Sequence, residues 1–227
     1  MSAPLSIVIP TLNAVAEIGP TLGALVPGVA DGLVREVILA DGGSTDAIAD
    51  VAEETGARMV DAPEGRGNQL RTGAEAARGE WLLFLHADTV LPADWAGAVS
   101  RHIQRHPERA GYFRLGFDSE RKYARWTEGW ANIRSRWLGL PYGDQGLLVS
   151  RRLYAEVGGY RPMPLMEDVA MARALRGRLR GLGSTVTTSA DRYEREGYWR
   201  RGWRNWGCLG LYFAGVSPDK IARMYRK

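Results

Sequence analysis

Hydrophobic and polar positions change period repeatedly along the first part of this chain. Leu5-Ser6-Ile7-Val8-Ile9, closed by Pro10, and Glu36-Val37-Ile38-Leu39-Ala40 are β-rich apolar runs that predict short buried strands. A helix through about Leu25 follows the first. After the second, the turn Asp41-Gly42-Gly43-Ser44-Thr45-Asp46 leads into a helix ending before Gly56, with Ser44 or Thr45 available as its cap. Ala57 to Asp61 reads as a third strand, and the loop Pro63 to Gly67 opens an alanine-rich helix stopped by Gly79. The apolar run Glu80 to Leu85 then ends abruptly in His86-Ala87-Asp88-Thr89. This alternation predicts an α/β domain with a mainly parallel central sheet flanked by helices, its ligands lying beyond the carboxyl ends of the strands.

Downstream, a helix runs from Pro92 to about His106, and Gly111 to Phe117 alternates like a strand. Arg121 to Leu138 is an amphipathic helix in which Trp126, Trp130, Ile133 and Trp137 recur at three- and four-residue spacing; such a stripe is expected to pack against the domain. The loop Pro141 to Gly146 precedes a strand, Leu147 to Val149. A second loop, rich in glycine and proline, ends at Glu167-Asp168, which opens a helix to about Arg180, and Ser184 to Thr188 forms a last strand. Residues 191–227 differ in kind from residues 1–190. They mix arginines with Tyr193, Tyr198, Trp199 and Trp203, a helical extension suited to an anionic membrane surface, to packing back on the domain, or to a homodimer contact.

Composition narrows this picture little. With 227 residues, 45% hydrophobic and 25% charged, the chain is that of a soluble globular domain with an appendage. Its net charge of +4 is carried by arginine, since Lys122, Lys220 and Lys227 are the only lysines. Arginine favours phosphate-like ligands, and the excess is too mild for nucleic acid. A single cysteine, Cys208, excludes an internal disulfide and reads as a small hydrophobe. The start Met1-Ser2-Ala3-Pro4 lacks signal-peptide character and no apolar stretch reaches spanning length, so a cytoplasmic location is expected.

His86 and Asp88 carry the first candidate chemistry. Along an extended chain residues two apart point to one side, so an imidazole and a carboxylate there would meet the same divalent cation. Asp41, Asp88 and Asp168 are expected at one rim of the sheet, where neighbouring carboxylates call for a cation or a base role. Plainer readings stand beside these: Asp41 as an Asx-turn, Asp168 as a helix cap, Arg66 as a solvated charge, Asp144 and Gln145 as residues that order their loop. His102 and His106 are four apart but have no third ligand near them in sequence, so zinc is not expected.

The ordered set of Ile7 to Asn13, Val37 to Asp46, Gly65-Arg66-Gly67 with Gln69 and Gly73, the run ending at Asp88, Gly143 to Gly146, and Glu167-Asp168 resembles family 2 glycosyltransferases of GT-A fold. The resemblance spans about Leu5 to Arg180 and is strongest to small bacterial members with a His-Ala-Asp metal motif in place of Asp-x-Asp, which removes one negative charge. It implies an inverting transfer from a nucleotide-diphosphate sugar, a UDP-sugar in the first instance, to a hydroxyl or lipid-linked acceptor. Pro10, Thr11, Asn13, Asp41, Arg66, Gln69 and Ala87 would bind the nucleotide, and Asp88 with His86 would hold Mn2+ or Mg2+. Asp168 would act as general base beside Glu167, and Gly143, Asp144 and Gln145 would contact donor or acceptor sugar. A nucleotidyltransferase on a related fold would need a glycine-rich loop with a lysine after the first strand, which Pro10-Thr11-Leu12-Asn13 does not offer. A non-catalytic nucleotide-sugar-binding or membrane-scaffold protein is the alternative from another class.

Overall fold

The computed structural model describes residues 3–190, 194 and 197–225. Its elements in order are β1 (Leu5–Thr11), α1 (Val15–Ala30), β2 (Val34–Asp41), α2 (Ile48–Thr55), β3 (Arg58–Asp61), α3 (Arg66–Ala76), β4 (Trp81–Phe84), β5 (Thr89–Val90) and α4 (Trp95–Arg105). They continue as β6 (Ala110–Phe117), α5 (Lys122–Leu138), a 3-10 turn (Gly143–Gln145), β7 (Leu147–Ser150), α6 (Arg151–Glu156), α7 (Glu167–Ala174), β8 (Leu179–Thr188), α8 (Tyr198–Phe213) and α9 (Pro218–Tyr225).

The eight strands make one sheet in the order β3-β2-β1-β4-β7-β6-β8-β5. β3, β2, β1 and β4 run parallel, as do β6 and β8. β7 is antiparallel to both β4 and β6, and β5 is antiparallel to β8. Because Phe84 pairs with Leu147 and Phe117 with Thr188, the carboxyl ends of β1, β2, β4, β6 and β8 and the start of β7 share one rim. The two faces of the sheet are apolar. Ile7, Ile9, Leu39 and Leu83 pack with Ile18, Leu25 and Trp95 on one side, while Val8, Ile38, Leu82 and Phe84 pack with Leu70 and Ala74 of α3 and with Tyr160 on the other. Successive residues of a strand face opposite sides, which is why an unbroken apolar run is needed for each.

Three expected boundaries move. α7 ends at Ala174 rather than near Arg180, and β8 begins at Leu179, because Ala110 to Tyr112 of β6 pair with Leu179 to Gly181; strand pairing overrides local helix preference there. The stretch read as a loop up to Glu167 contains α6, capped by Ser150, whose hydroxyl accepts from Leu153 N at 3.2 Å. Ser44 and Thr45 do not cap α2: it begins at Ile48 without a side-chain cap, since both residues bind the β1 and β2 loops instead.

The largest correction concerns α5. Its aromatic stripe faces outward, with Trp126 64%, Ile133 50% and Trp137 77% exposed, while Ala124, Glu128, Ala131, Arg134 and Ser135 face inward. The reason lies in β6. β7 pairs with it only at Gly111, leaving the later residues of that edge without a strand. Side chains take its place: Gln145 Nε2 donates to Phe113 O at 3.0 Å, and Asn132 accepts from Leu115 N at 2.9 Å and donates to Leu115 O at 3.0 Å. Glu128 then accepts from Phe117 N at 2.6 Å. Buried backbone groups must be paired, so the inner face of α5 has to be polar.

The extension folds back on the domain. α8 packs along α5, with the Trp130 and Trp206 rings 5.0 Å apart, and buries Leu209 against Leu140, Val169 and Ala172. The expected boundary at 190/191 and the residues Arg192 and Tyr193 lie at or outside the described residues, as do the side chains of Tyr198 and Trp199. Among the described residues no helix is long and apolar enough to cross a membrane.

Asn132→Leu should destabilise the protein by about 1–3 kcal/mol by orphaning two backbone groups of Leu115, whereas Trp137→Ser should stay within about 0.5 kcal/mol of the parent. Denaturant midpoints compare them directly, and the reverse order would mean that the stripe, not the polar face, holds α5.

Candidate active site

At the shared rim, a cleft with a volume of about 160 Å³ is lined by Arg66, His86, Asp88, Tyr142, Gly143, Asp144, Glu167 and Asp168, with Asn205 of α8 and Tyr225 of α9 closing one side. Each residue arrives from a different element. Arg66 opens α3 after Gly65, whose φ of 116° only glycine adopts easily. His86 and Asp88 follow β4, but not on an extended chain: Thr89 N donates to His86 O at 3.2 Å, so the two lie in a tight turn. Strand alternation therefore does not set their shared direction; the turn brings both to the cleft instead.

The 3-10 turn links His86 to Asp168. A Cβ on Gly143 would meet His86 Nε2 at 2.4 Å, so the imidazole lies against this glycine's backbone, and Gly143 N donates to Asp168 Oδ2 at 3.1 Å. The other oxygen, Oδ1, accepts from Val169 N at 2.7 Å, which fixes the carboxylate. Met166 precedes Glu167 with φ 68°, a left-handed conformation that is unfavourable for such a side chain. With Asn13 at φ 53°, it is one of two non-glycine residues of positive φ among those described, and both stand beside candidate site residues, where strain of this kind collects.

Electrostatics in the cleft is dominated by crowding. Burial, then the charge of Asp168, push the Glu167 carboxyl up to about 7, although Arg66 lies 3.8 Å away. Burial also pushes Asp144 up to about 6, with Asp168 and Asp88 adding to the rise and Arg134 opposing it. Burial takes the Tyr142 hydroxyl to about 12, against the pull of Arg134, whose guanidinium lies 3.2 Å over the Tyr142 ring.

Asp41, Thr11 and Asn13 form a second cluster that does not line this cleft. Asp41 is buried, which alone would raise its pKa, but bonds from Ser44, Gly43 and Thr11 hold it below the usual carboxylate range. Thr11 Oγ1 donates to it at 3.0 Å and Ser44 Oγ at 2.5 Å. Asn13 Oδ1 accepts from Thr45 N at 2.8 Å, and Asn13 N donates to Ser44 Oγ at 2.8 Å. Two expected contact residues are committed elsewhere. Gln69 is buried and its amide donates to Thr11 O at 2.6 Å and Ala40 O at 3.1 Å. Gln145 is fully buried, joined to Ser135 Oγ at 2.5 Å as well as to Phe113; it orders the loop. Pro10 sits in β1 opposite Ala40, and Ala87 O accepts from Thr21 Oγ1 at 2.7 Å. Arg134, Tyr142, Asn205 and Tyr225 were not anticipated. Arg134 lies three residues from Trp137 on the polar side of an amphipathic helix, the side expected to face solvent, and only the inverted packing of α5 exposes its role.

Residues 6–163 match the family model described as glycosyl transferase family 2. The chain belongs to that family. Proteins similar to it include the PGL/p-HBAD biosynthesis glycosyltransferase of Mycobacterium tuberculosis, 36% identical over 121 residues that are 47% of this chain and 44% of that protein. Glucosyl-3-phosphoglycerate synthase of Mycolicibacterium paratuberculosis is 36% identical over 97 residues, 39% of this chain and 29% of the other. The chain thus spans less than half the length of these relatives. Among solved structures, S. aureus TarS in complex with UDP-GlcNAc aligns with a TM-score of 0.65 at 15% identity, covering 82% of this chain and 58% of that one. The M. tuberculosis synthase in complex with Mn2+, UDP and glucosyl-3-phosphoglycerate aligns with a TM-score of 0.56 at 20% identity over 82% and 70%. The family 2 chain accordingly has the GT-A fold of these neighbours.

The folded protein binds the Glu167 proton more tightly than the unfolded chain, so stability present below about pH 4.5 is lost as pH rises to about 7. Melting the ligand-free protein across that window should show the decline, and Glu167→Gln should flatten it by on the order of 2 kcal/mol. Superimposable profiles for the two proteins would contradict the raised pKa.

Proposed function

We propose that this chain transfers a sugar from a UDP-sugar to an acceptor hydroxyl, inverting the anomeric carbon, with Mn2+ or Mg2+ bound. The observation that carries this reading is a single cleft shared by His86, Asp88, Arg66 and Asp168. The UDP-GlcNAc and Mn2+–UDP complexes of the structural neighbours, and the glycosyltransferase relatives, support its sugar transfer, its UDP-sugar donor and its metal.

A metal fits this cleft as a shared ligand. Among the described residues no group of three or more His, Cys, Asp or Glu could hold an ion. One imidazole and one carboxylate leave most of the coordination shell to donor phosphate oxygens and water, as suits Mg2+ or Mn2+ on a diphosphate. When bound, the cation offsets negative charge on the departing diphosphate. Arg66, held by Glu167, adds positive charge on the same side, and Thr11, Asn13 and Asp41 form the nucleoside end. Asp168 takes the proton of the acceptor hydroxyl. That oxygen's electron pair forms the new bond to the anomeric carbon, the bond from that carbon to the diphosphate oxygen breaks, and UDP leaves with its electron pair. Asp168 suits the base role because two backbone N–H groups orient it without consuming its reach into the cleft. The outward aromatic faces of α5 and α8 suit a peripheral position on a membrane surface, reached from the cytoplasmic side.

UDP with Mn2+ should raise the melting temperature, and Asp88→Ala should remove the metal-dependent part of that rise. Asp168→Asn should keep UDP binding and lose about 10²–10⁴ in turnover of a UDP-sugar. If no nucleoside diphosphate shifts the melting temperature with either metal, the reading fails; if Asp168→Asn turns over as fast as the parent, the base is another group.

A further inference from the structure

Two further cavities continue the cleft outward. A small one, about 60 Å³, shares Tyr142, Asp144 and Asn205 with the cleft and is also lined by Arg134, Thr127, Trp130, Gly202 and Trp206. A larger one, about 360 Å³, shares Thr127, Trp130, Gly202 and Trp206 with the small one and adds Tyr123, Trp126 and Trp203. The series runs from the catalytic rim, between α5 and α8, to an exposed aromatic groove. Polarity changes along it in order: carboxylates first, then a mixed pair, then rings.

The middle cavity is the informative one. Arg134 is 7% exposed, its Nε donates to Leu140 O at 2.9 Å, and its Nη2 is buried with no hydrogen-bond partner. Asp144 Oδ1 is likewise buried and without a partner. A buried donor and a buried acceptor left unpaired beside one cavity are unfavourable until something pairs both. A hydroxyl does so, because it accepts from the guanidinium and donates to the carboxylate. The groove beyond is lined almost wholly by aromatic faces, with Trp203 73% exposed, and takes apolar chain rather than charge.

We propose that the acceptor is an amphiphile: a hydroxyl-bearing head held between Arg134 and Asp144, carrying the reacting hydroxyl toward Asp168, and an apolar tail lying in the α5–α8 groove. This rests on the glycosyltransferase reading and names the acceptor's chemistry. It explains why α8 returns to the domain, since Asn205, Trp206 and Gly202 form one wall of the path. It also gives Trp126 and Trp130 of the α5 stripe an occupant, continuous with the cleft.

The test uses the full chain with octyl glucoside below its micelle concentration, and glucose and octanol as controls, read by tryptophan fluorescence titration. Octyl glucoside should bind about tenfold tighter or more than either control, because head and tail bind together. Arg134→Met should remove that advantage while octanol binding persists, and Trp203→Ala should weaken octyl glucoside and octanol alike. Both variants should retain the melting shift by UDP and Mn2+, which certifies the fold. Octyl glucoside binding no tighter than octanol, or unchanged in Arg134→Met, overturns the proposal, as does a concentration-dependent dimer by sedimentation that Trp203→Ala abolishes. If the parent shows the UDP shift but not the octyl glucoside preference, the acceptor proposal alone falls; if it shows no UDP shift, the reading beneath it falls.

Discussion

The unpaired edge of β6 is the constraint from which most of this architecture follows. β7 is four residues long and meets β6 at one register position, so Phe113, Leu115 and Phe117 present backbone groups to the protein interior with no strand to take them. Gln145, Asn132 and Glu128 supply what the missing strand would. Two consequences are forced. α5 must turn its polar side inward, which puts its tryptophans outside, and Gln145 must be buried, which holds the 3-10 turn of Gly143 and Asp144 at the rim. An interior amide that pairs fully with backbone is worth more to the fold than to a ligand, because leaving it half-paired would carry the full desolvation penalty.

What the turn then holds is electrostatically unfavourable by itself. Asp88, Asp144, Glu167 and Asp168 meet in one cleft, against Arg66 and Arg134. The rises at Glu167 and Asp144 record burial and that crowding, and Asp41 shows the contrast: less deeply enclosed and reached by four hydrogen bonds at its oxygens, it is kept low. A site that keeps its carboxylates underbonded while the neighbouring one is saturated is arranged to receive positive charge or protons. That difference separates Asp41, which stitches the β1 and β2 loops, from the groups that face the cleft.

The sheet and its rim were readable in advance because β1, β2 and β4 are buried on both faces, and full burial leaves an unbroken apolar signal. Asp88, Asp168, Arg66 and His86 were readable for a related reason: each directly follows an apolar run or opens a helix, so order along the chain predicts place in space. The direction of β8 against α7 was not readable, since residues 175–180 carry no period of their own and pairing with β6 decides them. Nor was the reach of Asn205 and Tyr225 into the cleft, which depends on how α8 returns to α5 across the 59 residues between them.

The α5 stripe shows why such a pattern misleads. Periodicity reports that one face of a helix differs from the other; it does not say which face is inside. The usual inference assumes that water lies on the polar side. Here the polar side meets backbone, a partner as demanding as water and more specific in geometry, and Glu128, Asn132 and Arg134 each reach a named main-chain atom. A helix that completes a sheet edge therefore needs the opposite rule, and its aromatic face is left for another role. Trp130 stands at the junction of the small cavity and the larger aromatic groove, against Trp206. The same inversion that satisfies β6 thus builds a ring-lined path that continues, through the small cavity, to the cleft at the shared rim.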